Sequence, residues 1–153
     1  MTLAKASALV ARLRAAGRPV VFTNGVFDLL HVGHLRYLQQ ARRLGDALIV
    51  GLNSDRSVRQ IKGADRPITQ QDERAEILEA LACVDGVVIF DQDTPLDLIA
   101  AIQPDVLVKG ADWAEDAIVG RDVVEARGGS VVRVPIEAGH STTLIVDKVR
   151  RRT

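Results

Sequence analysis

The feature that most constrains this chain is an alternation. Short apolar runs and helical segments follow one another from end to end, and no two runs are joined by a hairpin-length link. The runs at residues 19–23, 47–52, 86–90, 105–109 and 130–134 read as strands. The segments at 34–44, 69–81, 94–102 and 121–126 read as the helices between them, with a leading helix at 4–16 and a final one at 141–151. Strands without hairpins must pair in parallel through crossovers, which covers both sheet faces with helices. The run Ala47-Leu48-Ile49-Val50 has no polar alternation, as expected of a strand buried on both sides. The spacing therefore predicts an α/β fold with a five-stranded, doubly wound parallel sheet. Thr69 is the expected N-cap of its helix, with Asp72 three residues on, and residues 53–69 read as a polar loop.

Composition narrows the function classes. A chain of 153 residues that is 47% hydrophobic can bury a core, and it reads as one domain: an N-terminal helix over 1–17 and a catalytic core over 18–153. Lys plus Arg (20) balance Asp plus Glu (20). That argues against bulk attraction to nucleic acid or acidic membranes, and leaves little charge to oppose self-association. Cys83 is the single cysteine, which excludes an internal disulfide or a thiolate metal cluster. No stretch approaches the roughly 20 apolar residues of a membrane helix, and residues 1–17 lack a secretion signal, so a cytoplasmic address is expected.

The stretch Thr23-Asn24-Gly25-Val26-Phe27-Asp28-Leu29-Leu30-His31-Val32-Gly33-His34 follows the first strand and opens a helix. Parallel sheets bind ligands at the carboxyl ends of their strands, and a helix N-terminus there offers free N–H groups to phosphate. His31 and His34 are spaced to face the same way. Gly25 and Gly33 are expected to let the backbone pass close to a ligand. On spacing alone the two histidines also fit a surface turn, a helix cap or a weak metal pair. Two further helix starts or strand ends carry polar groups: Lys109-Gly110-Ala111-Asp112-Trp113 and Gly139-His140-Ser141-Thr142-Thr143. Ser141 is a good N-cap, and the same geometry suits phosphate.

His31-Val32-Gly33-His34 matches the H-x-G-H signature of the nucleotidylyltransferase superfamily, and the longer string from Thr23 resembles its cytidylyltransferase-like branch. Within that branch the sequence is most similar to the heptose 1-phosphate adenylyltransferases. The resemblance runs through Gly51-Leu52-Asn53-Ser54-Asp55, Lys62-Gly63, Arg66-Pro67-Ile68, Asp93-Thr94-Pro95, Val108-Lys109-Gly110 and Ser141-Thr142-Thr143. It implies a Rossmann-like sheet of order 3-2-1-4-5. It also implies transfer of AMP from ATP to a sugar 1-phosphate by in-line displacement, with Mg²⁺ accompanying the triphosphate and no metal ligands assigned to the protein. On this resemblance His31, His34 and Lys62 are the catalytic residues. Thr23, Asn24, Gly25, Phe27, Gly33, Gly110, Asp112, Ser141, Thr142 and Thr143 bind nucleotide. Asp28, Arg66, Arg74 and Trp113 are candidates for contacts with the acceptor or its phosphate.

Departures from the pattern keep a second reading open. Relatives that use CTP carry an arginine where this chain has Ile136, which argues against a glycerol 3-phosphate cytidylyltransferase; Asp112-Trp113 echoes that branch. His140 stands where the heptose branch often has cysteine. A nucleotide sensor without catalysis would not need both histidines and Lys62, and the first turn lacks the G-x-G-x-x-G of redox dinucleotide folds. The family implies a homodimer. The kinase domain sometimes fused to such enzymes has no counterpart in 153 residues, so a separate kinase is expected to supply the sugar phosphate.

Overall fold

A computed structural model describes residues 1–152, apart from the side chain of Glu115. Strands β1 (Val20–Gly25), β2 (Ala47–Asn53), β3 (Gly86–Phe90), β4 (Val106–Gly110) and β5 (Ser130–Val134) form one parallel sheet of order β3-β2-β1-β4-β5. Phe22 of β1 sits in register between Ile49 of β2 and Leu107 of β4. The helices are α1 (Leu3–Ala15), α2 (Val32–Arg42), α3 (Asp55–Lys62), α4 (Gln71–Glu79), α5 (Leu96–Ile102), α6 (Arg121–Ala126) and α7 (Thr142–Arg152), with a short 3₁₀ turn at Glu115–Ala117. This is the expected fold and sheet order.

Alternation along the strands divides the core between two faces. Val20, Phe22, Ile49 and Leu107 pack with Ala6, Val10, Ile99 and Ile102 from α1 and α5. Val21, Leu48, Val50 and Val108 point the other way, toward Leu38 of α2 and Leu78 of α4. Each such side chain contributes roughly 1.5–3 kcal/mol by leaving water. The leading ends of β1 and β2 are pinned alike. The Asp105 carboxylate accepts from the Val20 N–H at 2.8 Å, and the Asp85 carboxylate accepts from the Leu48 N–H at 2.8 Å. Arg14 and Arg42 hold those two carboxylates at 3.7 and 3.1 Å. With its leading edge fixed, the sheet delivers the trailing ends of β1 and β4 to the point where strand order reverses, which is where such folds open a crevice.

Three local expectations need correction. Residues 53–69 are not all loop: α3 occupies Asp55–Lys62 because the Ser54 hydroxyl accepts from the Ser57 N–H at 3.1 Å and Val58 is buried against the sheet. Thr69 does not cap α4; Gln70 holds that position without a side-chain bond, and the Thr69 N–H is turned toward Asp28. Helix α2 begins at Val32 rather than His34, with His31 as its cap. No helix among the described residues is long and apolar enough to cross a membrane.

Candidate active site

A cleft of about 700 Å³ opens over the trailing ends of β1 and β4, within the range of small-molecule sites. Its lining includes Asn24, His31, His34, Lys62, Lys109 and Thr143. Gly25, Phe27, Gly33, Gly110, Asp112, Trp113, Ser141 and Thr142 also line it. The structure thus gathers nearly all the expected catalytic and nucleotide residues, from four separate stretches of chain, into one place.

His31 and His34 form a reciprocal cap. His31 Nδ1 accepts from the N–H groups of Gly33 (3.1 Å) and His34 (3.4 Å), while His34 Nδ1 accepts from the His31 N–H at 3.3 Å. An accepting Nδ1 places the proton of a neutral imidazole on Nε2. The rings stack with centroids 3.8 Å apart. Burial, with the neighbouring His31 adding to it, holds His34 down to about 4 despite the opposing pull of Asp28. Burial and then His140 also lower His31. Two neutral rings therefore offer Nε2–H donors at the N-terminus of α2, where the helix dipole favours an anion.

The loop that presents them is strained and tightly held. Phe27 and Leu29 have φ of 48° and 50°, in the left-handed region that costs about 1–2 kcal/mol for residues with a side chain. Asp28 organises the loop from inside. Its carboxylate accepts from the N–H groups of Ile68 (2.8 Å) and Thr69 (3.0 Å) and from Arg66 Nε (3.0 Å). Burial pushes this carboxyl up, and those donors together hold it below its ordinary value. The Thr142 hydroxyl donates to the Asp28 carbonyl, tying α7 to the same loop.

Several expected contacts are thereby reassigned. Asp28 is a buried anchor, 2% exposed, whose carboxylate is engaged by Arg66, Ile68 and Thr69. Arg74 is not a phosphate ligand: it is 2% exposed and donates to the carbonyls of Thr69, Val26 and Asn53 and to the Asp55 carboxylate. Thr23 does not reach the cleft, because its buried hydroxyl is shared with Tyr37 and donates to the Val108 carbonyl. Gly25 and Gly33 do make room, but for protein. A Cβ on Gly25 would lie 2.9 Å from the Phe27 ring, and one on Gly33 would lie 2.9 Å from His140 Cβ and 3.0 Å from His31. Lys62 ends α3 and is exposed at the cleft. Arg66 lines the cleft with Nε committed to Asp28. Ser141 caps α7, accepting from the Leu144 N–H at 3.1 Å.

Two residues at the cleft lay in the quoted motifs but were given no role from the sequence. His140 lies 6.5 Å from His31, ring to ring, although far from it along the chain. Lys109 is buried and donates to Asn24 Oδ1, with Nζ 5.4 Å from the Trp113 ring. The signal for it was present, since Lys109 is the one charged residue in the strand Val-Leu-Val-Lys-Gly.

An α/β crevice at the switch point, with paired imidazole donors on a helix N-terminus, defines a nucleotidyltransferase site. The chain belongs to the cytidylyltransferase-like family, whose model matches residues 22–148. It is 61% identical over 90% of its length to the bifunctional protein HldE of Hyphomonas neptunium, and 56% identical over 95% of its length to that of Trichlorobacter lovleyi. It spans only 28% and 30% of those two proteins. In structure it resembles a lipopolysaccharide core biosynthesis protein from Thermoplasma volcanium, with a TM-score of 0.65 and 29% identity; the match covers 79% of this chain and 98% of that one.

Proposed function

We propose that this protein transfers AMP from ATP to a sugar 1-phosphate, D-glycero-β-D-manno-heptose 1-phosphate, releasing pyrophosphate. The observation that carries the reading is the pair of neutral, stacked imidazoles whose Nδ1 atoms are fixed by backbone N–H groups. An oxygen of the acceptor phosphate attacks the α-phosphorus, a new P–O bond forms, and the bond to the β-phosphate oxygen breaks. The acceptor is already ionised, so no general base is needed. The protein's work is to align two anions and spread the charge that develops on the phosphoryl oxygens. His31 and His34 donate through Nε2, Lys62 and the α2 and α7 N-termini add positive potential, and Asp112 and Trp113 face the nucleoside. The similarity to proteins named HldE and to a lipopolysaccharide core biosynthesis protein supports a heptose acceptor destined for a surface glycan.

Mg²⁺ suits this site as a passenger on the triphosphate. Among the described residues no three His, Cys, Asp or Glu side chains cluster as metal ligands, whereas Mg²⁺ needs few protein oxygens when phosphates supply the rest. Asp112 and Asp93 are exposed carboxylates on the cleft lining that could reach it, and the ion would neutralise triphosphate charge. The same reading places the protein in the cytoplasm with its ATP. The exposed Leu144, Ile145 and Val149 on α7 support a homodimer, to be checked by light scattering.

The test is pyrophosphate release with Mg²⁺ for ATP and CTP, each with heptose 1-phosphate and glycerol 3-phosphate. Release with ATP and heptose 1-phosphate alone, lost in His34→Ala, is expected. Release with CTP and glycerol 3-phosphate would replace both substrates and leave the chemistry standing.

A further inference from the structure

Lys109 has no part in the reaction outlined above, yet its setting is hard to explain as packing. It ends β4 directly beside the end of β1 and is only 7% exposed. Its ammonium has three donors. Among the described residues one of them finds a side-chain acceptor, Asn24 Oδ1, and no carboxylate lies within ion-pair distance. A buried cation normally has a paired anion, because the uncompensated charge is costly. Asn24 differs from an aspartate in the property that matters here: it aims the ammonium without neutralising it. Burial pulls Lys109 down to about 8, against the opposing influence of Asp112. Trp113 covers one side of the charge and leaves the cleft as its open direction.

We propose that Lys109 binds a phosphate group of the substrate, as an unneutralised ammonium aimed into the cleft by Asn24. This rests on the reading that the cleft takes phosphorylated substrates, and it adds a second cation to Lys62, placed on the β4 side. The shared chemistry is a phosphate dianion. Its source is either the nucleotide or the sugar phosphate, and binding measurements separate the two. A structural role, in which Lys109 merely ties β4 to β1, makes opposite predictions, because a methionine of similar length would then weaken the fold and affect every ligand alike.

The experiment titrates the full chain and its K109M and K109Q variants at pH 7 by calorimetry, with ATP, adenosine, inorganic pyrophosphate and glucose 1-phosphate as probes, and records each variant's melting temperature. The expected result is a loss of about tenfold or more for the phosphate-bearing probes that Lys109 touches, with adenosine unchanged. Loss with ATP and pyrophosphate assigns the nucleotide; loss with glucose 1-phosphate assigns the acceptor. K109M should melt no lower than the native protein, since it removes a buried unpaired charge. In the native protein phosphate affinity should also fall between pH 7 and 9.5, as the ammonium deprotonates, and this fall should be missing from K109M. The other titratable groups near Lys109 are Asp112 and Tyr37, the latter held up at about 12 by burial. Equal affinities in all three proteins, or equal loss of adenosine with a lower melting temperature, would overturn the assignment. A Lys109-dependent affinity in a protein that does not turn over ATP with heptose 1-phosphate would sink the substrate reading alone. Binding of none of the four probes would sink both.

Discussion

On the β1–α2 side of the cleft almost every polar group has a partner inside the protein. On the β4–β5 side the wall is more open to solvent. Asp28, Arg66, Arg74 and Thr142 lock the loop that carries His31 and His34 through bonds to four other segments. Across the cleft Trp113 is 48% exposed and Ile136 is 54% exposed. The difference fits the division of labour in the proposed reaction. Charge developing on phosphorus is stabilised only by donors that do not move, and such donors need a second layer of bonds to hold them. Recognition of a base or a sugar tolerates a looser wall that adjusts to its ligand.

The sharpest way to break this comparison is to cut the second layer. Arg74→Ala removes a guanidinium that serves three carbonyls and Asp55, leaving those acceptors unpaired beneath the histidine loop. We expect it to lower unfolding stability by about 3–5 kcal/mol in urea titration. A loss under 1 kcal/mol would show that the loop holds itself and that the two walls are not so different.

The next effect is on rate. His34→Ala should reduce turnover by about 10²–10³. His31→Asn is the more informative variant, because asparagine keeps a side-chain oxygen for the cap while deleting the Nε2 donor. It should lose a similar factor in pyrophosphate release with a melting temperature close to native. If it melts early and keeps its rate, His31 is a cap and nothing more.

The same contrast explains what could be read from the sequence. Strand runs such as Ala47 to Leu52 are apolar throughout, so the sheet and its parallel connections were legible. The cleft was legible too, because Thr23 to His34 and Ser141 to Thr143 carry motifs at strand and helix ends. The roles of Asp28 and Arg74 were not. A buried carboxylate and a substrate-binding one have the same letter, and only the distances from Asp28 to Ile68 and Thr69 separate them. Helix α3 was missed because it is short and mostly polar, with Val58 and Ile61 as its only large apolar residues. Tertiary proximity also hid His140, which reaches His31 only after the β5–α7 connection folds back.

A smaller effect comes from pH. His34 sits at about 4 in the folded protein and near its ordinary value of about 6.5 when unfolded. Between those values the unfolded chain takes up a proton that the folded one refuses. Stability is therefore full above about pH 6.5 and declines as pH falls toward 4. Asp28, held low in the folded state, acts in the same direction in a more acid window, below the ordinary carboxylate range. Thermal melts from pH 7 to 4.5 should show a steady fall that His34→Gln flattens. A fall unchanged in that variant would place the acid sensitivity elsewhere.

The smallest effect should come from the loose wall. Trp113 contributes little to the fold at its exposure, and its ring faces the cleft beside Lys109. Trp113→Ala should leave the melting temperature near native and raise KM for the nucleotide about fivefold, in line with roughly 1 kcal/mol for an exposed aromatic contact. Because the reacting phosphorus is held from the other side, kcat should hardly change. That split is the signature of ground-state binding, and it is what separates the walls. A drop in kcat as large as that of His34→Ala would mean that Trp113 reaches the transition state, and that the β4–β5 side is as much a part of the chemistry as the histidine loop.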